Sequence, residues 1–94
     1  MGKLTAKFVE KHKQPGGYAD GLGLYLLFRP EGSKSWLLRV QVNGRRRDYG
    51  LGGVSILSLA EAREKAAQGR KWAKHGKDLS EEWRRALNTV ANFE

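Results

Sequence analysis

The 94-residue chain contains no cysteine. That excludes a disulfide framework and a thiolate metal site, so the fold must rest on apolar packing. It has no apolar run near the roughly 18 residues that a membrane span requires. The opening "MGKLTAKFVEKHK" lacks the apolar segment of a secretory signal, so the chain is expected to stay in the compartment where it is made. Acids are scarce as well: 10 Asp and Glu stand against 18 Lys and Arg, for a formal charge of +8. Such a balance points to an anionic partner, either nucleic acid or an acidic membrane surface. Paired acids, a metal-ligand cluster and a nucleophile with a His–Asp partner are all missing, which argues against a small enzyme or toxin. His12 and His75 read as solvated surface residues. Ser33, Ser35, Ser55, Ser58 and Ser80 have turn or capping explanations.

The length suits one small domain with a single core. "LTAKFVEKHK" reads as a short helix with Thr5 as N-cap and Leu4, Phe8 and Val9 on one side, stopped by "QPGG". "GLYLLFRP" (23–30) alternates Leu24, Leu26 and Phe28 with Tyr25, Leu27 and Arg29, the period of a strand. "SWLLRVQV" (35–42) alternates again, with Trp36, Leu38, Val40 and Val42 opposed to Leu37, Arg39 and Gln41. Asn43-Gly44 follows, and that dipeptide favours a two-residue hairpin turn in which both residues have positive φ. A third strand then runs from about Arg45 to Leu51, completing an antiparallel meander.

Ser58 and Glu61 form a capping box at the start of "SLAEAREKAAQGRKWAKHG". The inward stripe of this helix is Leu59, Ala62, Ala66, Gly69 and Ala73, small side chains that allow close approach to a sheet. Gly76 is the expected stop. "DLSEEWRRALNTVANFE" reads as one more helix with Trp83, Leu87 and Val90 on one side; whether it docks or projects is not legible from the pattern. The expected fold is thus α+β, a three-stranded antiparallel sheet packed on one main helix, with a short N-terminal helix and a C-terminal linker helix. The apolar sheet face takes the main helix, and the opposite face is left for solvent or a partner.

Between Arg29 and Arg47 there are six basic residues, Arg29, Lys34, Arg39, Arg45, Arg46 and Arg47, against the single acid Glu31. Charges along an exposed strand can serve only to prevent edge-to-edge aggregation. Three features favour nucleic acid instead. Arginine, used at five of the six positions, offers a planar fork suited to phosphate and to the guanine O6/N7 edge. Tyr25 and Gln41 share the polar face and can hydrogen-bond to phosphates or bases. A narrow antiparallel ribbon also fits the major groove of B-DNA. A double-stranded RNA-binding module is the nearest rival, and a peripheral membrane role is disfavoured because the basic surface lies on strands.

The run "YADGLGLYLLFRPEGSKSWLLRVQVNGRRRDYGLG" followed by "SLAEAREKAA" resembles the N-terminal arm-type DNA-binding domain of tyrosine-recombinase integrases from phages, prophages and genomic islands. The resemblance covers roughly residues 4–78. It implies a sheet whose free face enters the major groove of arm-type sites, with Tyr25, Leu27 and Arg29 on the first strand's DNA face, Arg39 and Gln41 on the second's, Arg45, Arg46 and Arg47 near the hairpin, and Lys34 within the same basic run. Relatives often carry a basic residue where this chain has Leu27 and a second Arg where it has Gln41. Residues 1–78 are expected to form the arm-type domain, and 79–94 the linker toward core-binding and catalytic domains of the same integrase. No tyrosine nucleophile is expected here; Tyr18, Tyr25 and Tyr49 belong to the arm domain. The resemblance further implies double-stranded DNA as partner, no cofactor or metal, a monomeric isolated domain and a cytoplasmic, nucleoid-associated location in a bacterial host.

Overall fold

The computed structural model describes residues 3–91, with side chains through residue 85. The elements in order are α1 (Ala6–Lys11), β1 (Gly16–Gly21), β2 (Leu24–Phe28), β3 (Lys34–Val42), β4 (Arg45–Gly53), α2 (Leu59–Lys74) and α3 (Leu79–Ala91). The fold is α+β as expected, but the sheet has four strands, ordered β1-β2-β3-β4 with every neighbour antiparallel. The additional strand is β1, whose sequence "GGYADG" lacks an apolar alternation and overlaps the "QPGG" expected only to stop α1. It is held through its backbone, pairing Gly16 with Phe28 and Ala19 with Tyr25, and it adds Tyr18 to the margin of the core.

Local chemistry accounts for the ends of the elements. The Thr5 hydroxyl accepts from the Phe8 N–H at 3.1 Å and starts α1. At α2, the Glu61 N–H donates to Ser58 Oγ while the Ser58 N–H donates to Glu61 Oε1, the reciprocal pair of a capping box. The helix closes at Gly76 (φ +72°), where the Gly76 and Lys77 N–H groups donate to the carbonyls of Ala73 and Trp72. Asn43 and Gly44 both have positive φ (53° and 80°), as a type I′ turn demands. Leu22 and Gly23 do the same (56° and 88°) between β1 and β2. A Cβ on Gly23 would collide with the Arg39 carbonyl oxygen, so this turn needs glycine for space as well as for its φ.

The core lies between one face of the sheet and α2. Leu24, Leu26, Trp36 and Leu38 are fully buried beneath the stripe of Leu59, Ala62, Ala66, Gly69 and Ala73. Trp36 satisfies its indole by donating Nε1–H to the Leu57 carbonyl at 2.8 Å. Tyr49 and Leu51 of β4 both face inward, and a bulge opposite Trp36 and Leu37 leaves Leu51 as the extra residue between the Leu37–Gly50 and Trp36–Gly52 pairs. The start of α3 docks: Leu79 is completely buried, and the Trp83 ring meets Trp72 edge-on at 5.5 Å and Tyr49 at 6.2 Å. The expected stripe positions Leu87 and Val90 lie outside the residues whose side chains are described.

Candidate nucleic-acid interface

The face of the sheet turned away from α2 is defined by strand register. Residues directly opposite one another share a face. Tyr25 stands between Ala19 and Leu37, Leu27 between Gly17 and Ser35, Arg39 opposite Asp48, and Gln41 opposite Arg46. Tyr25, Leu27 and Leu37 form a half-buried apolar centre. Arg29 lies exposed at one end, donating from Nη1 to Ser35 Oγ at 2.9 Å, and Gln41 and Arg46 lie exposed at the other.

Arg39 sits in the middle strand and is held there. Its Nε donates to Asp48 Oδ1 at 2.9 Å and its Nη2 to Asp48 Oδ2 at 3.2 Å. The guanidinium carbon lies 5.2 Å from the centre of the Tyr25 ring, a cation–π contact. The hydrogen bonds from Arg39 hold the Asp48 carboxyl below its usual range, with partial desolvation opposing and the guanidinium charge assisting. Arg39 is in turn held more firmly protonated by Asp48. Both side chains remain open to solvent, at 37% and 44% exposure, so the pair is a feature of the surface.

The triple arginine divides between the two faces. Arg46 shares the open face with Gln41, whereas Arg45 pairs with Val42 and Arg47 with Val40, which places both on the α2 side. There they line a groove with Asn43, Gly76 and Asp78. Lys34 also points away from the open face. It is opposite Phe28, lies 4.9 Å over that ring, and donates from Nζ to the carbonyls of Val9 and Glu10 at 2.8 and 3.2 Å, fastening the C-terminal end of α1 to the sheet. Of the nine residues expected at an interface, six are gathered on the open face: Tyr25, Leu27, Arg29, Arg39, Gln41 and Arg46. Lys34, Arg45 and Arg47 are not. Asp48 was missed by sequence reasoning, although counting outward from the Asn43-Gly44 turn pairs it with Arg39.

His12 is not the solvated side chain expected from the sequence. It is half-buried, stacked on Phe8 at 4.3 Å, with Nε2 at 2.8 Å from the Tyr18 hydroxyl. Since that hydroxyl donates its proton to the Gln14 carbonyl, the imidazole Nε2 is the donor of the pair. Its role is to pack α1 against β1. Among the described residues no group of three His, Cys, Asp or Glu side chains could hold a metal ion, and no helix is long and apolar enough to cross a membrane.

Comparison with known proteins shows which family the chain resembles. The family model described as "Arm DNA-binding domain" matches residues 4–86. The chain is 38% identical over 71 residues, 72% of its length, to an integrase of Shigella phage Sf6 and, equally, to the prophage integrase IntS of Escherichia coli K12. It is 34% identical over an alignment of 100 residues, 96% of its length, to the prophage integrase IntZ of the same strain. The chain spans only 18% of the length of the first two proteins and 25% of the third.

Proposed function

This chain belongs to the arm DNA-binding domain family, and from that premise we propose that its open sheet face enters the major groove of duplex DNA at specific arm-type sites. An arm domain is a binding module with no catalytic step of its own; its work is to set register and read sequence. The observation that carries the reading is the position of Arg29, Arg39, Gln41 and Arg46 on the one sheet face that α2 does not cover. A β-ribbon is narrow enough for a groove about 12 Å wide, and its central strand lies nearest the groove floor.

On this reading Arg39 donates to a guanine O6/N7 edge and Gln41 to and from an adenine N6/N7 edge. Arg29 and Arg46, at the two ends of the face, meet the flanking phosphate ridges and fix register. Tyr25, Leu27 and Leu37 between them offer apolar surface to thymine methyl groups. Lys34 serves the fold by anchoring α1, and Arg45 and Arg47 add positive field from the far side of β4.

Within a longer protein this module serves a site-specific tyrosine recombinase of a phage or prophage in the cytoplasm of a bacterial host. The domain itself is monomeric, with residues 79–94 leading toward core-binding and catalytic domains. Anchoring at arm sites raises the effective concentration of those domains at the core site.

Selection of bound duplexes from a random pool at fixed salt, followed by amide-shift mapping on the selected site, tests the reading. Shifts are expected on β2, β3 and β4, and Arg39→Ala should lower affinity for the selected site by about tenfold or more with little effect on random duplex. Shifts confined to residues 59–74, or equal affinity for an RNA duplex of the same sequence, would refute it.

A further inference from the structure

We infer that Asp48 is a positioning residue for base readout, holding the Arg39 guanidinium so that only its outer edge is offered to DNA. The inference rests on the sheet face being the DNA face. A guanidinium carries five N–H donors in a plane, and Asp48 takes one from Nε and one from Nη2. The donors left over are those of Nη1 and the second N–H of Nη2. They form the terminal edge of the fork, the geometry that matches guanine O6 and N7 together.

The Tyr25 ring against the guanidinium restricts the remaining freedom of the plane. An unrestrained arginine in the middle of a DNA-binding face would reach any nearby phosphate and add affinity without sequence information. The carboxylate offsets the arginine charge at the same point, so a duplex lacking a well-placed guanine gains little there. Asp48 therefore lowers binding to the wrong sequence as much as it supports binding to the right one. It does so from β4, one strand away from the residue it controls.

The test uses the whole chain, the duplex selected from a random pool and a random duplex, each titrated over a salt series. Asp48→Asn keeps size and shape but weakens the grip on Arg39. The ratio of selected to random affinity should fall about tenfold, by loss on the selected duplex and gain on the random one, while the slope of log K against log salt steepens by about 1. In an Arg39→Ala background Asp48→Asn should no longer change the ratio. Replacing guanines of the selected site one at a time by 7-deazaguanine should identify a single guanine whose N7 matters to the native chain and not to the Asp48→Asn variant. Glu31→Gln removes an equal charge from the turn between β2 and β3 and should raise both affinities alike, leaving the ratio unchanged.

If Asp48→Asn raises both affinities in the same proportion, Asp48 is only a charge and the inference falls. A proportional loss on both duplexes, or an undiminished effect in the Arg39→Ala background, overturns it too. Failure of the native chain to prefer any duplex would sink the DNA-face reading itself, and with it this inference. A native chain that discriminates while Asp48→Asn discriminates equally well would sink the inference alone.

Discussion

Arg63, in the first half of α2, grips the buried carboxylate of Asp20 on β1 with Nε 2.9 Å from Oδ2 and Nη2 2.9 Å from Oδ1. The same carboxylate accepts from the Leu4 N–H at 2.9 Å, and Arg63 Nη2 also donates to the Leu4 carbonyl at 2.8 Å. Three segments far apart in the chain thus meet at one ion pair, which fixes the edge strand and the residues before α1. The Arg63 hydrogen bonds hold Asp20 below its ordinary pKa, against the opposing effect of burial.

Because the folded-state pKa of Asp20 is depressed, its contribution to stability is complete above the unfolded value near 3.8 and is lost as pH falls through the lower folded value. Asp20→Asn should therefore cost about 1–3 kcal/mol at neutral pH and lower Tm by roughly 4–8 °C per kcal/mol. In strong acid, where the native carboxyl is itself protonated, native and variant curves should converge. Thermal unfolding followed from about pH 2 to pH 7 checks this; a constant gap in Tm across the range would show that the carboxylate charge is not what stabilises.

Gly69→Ala isolates the packing of α2 on the sheet. Alanine favours a helix over glycine by about 1 kcal/mol at an exposed position, so propensity alone predicts stabilisation. A methyl group here would stand 2.6 Å from Leu38 Cδ2 and 2.8 Å from Leu79 Cδ2. Both leucines are completely buried and have nowhere to retreat. Overpacking should prevail, for a net loss of about 1–2 kcal/mol by denaturant unfolding. A gain in stability would mean that α2 and α3 shift apart freely, contrary to their close packing.

Legibility from sequence followed the range of the interaction. The Ser58–Glu61 box and the stripe from Leu59 to Ala73 are written at helical spacing, and the structure buries each member of that stripe. The Asn43-Gly44 turn was equally legible, because two adjacent positive-φ residues leave few alternatives. β1 was not, since three of its six residues are glycine and its place depends on backbone pairing with β2. The Asp20–Arg63 pair joins residues 43 apart, a distance at which no local pattern announces a partner. The candidate interface lies between these extremes. Its central residues Tyr25, Arg39 and Gln41 follow from alternation, while the division of Arg45, Arg46 and Arg47 and the Arg39–Asp48 pair require the hairpin to be folded about its turn residue by residue.

That division separates three arginines that composition treats as equivalent. Arg46 stands opposite Gln41 on the open face, while Arg45 and Arg47 stand opposite Val42 and Val40 on the side of α2, beside Asp78 and the C-terminal end of that helix. A carboxylate and a helix C-terminus both disfavour an approaching phosphate, so the environment of Arg45 and Arg47 is the poorer one for a direct contact. If the duplex docks on the open face, Arg46→Ala should reduce affinity for selected and random duplexes alike and lower the slope of log K against log salt by about 1, the signature of one lost phosphate contact. Arg45→Ala and Arg47→Ala should each change the slope by less than half as much, through the general field alone. Titrations of the three variants over the same salt series decide the matter. Equal slope changes from all three would mean that the phosphate backbone runs along the open edge of β4 and is gripped from both sides, and the docking orientation would have to be rotated toward that edge.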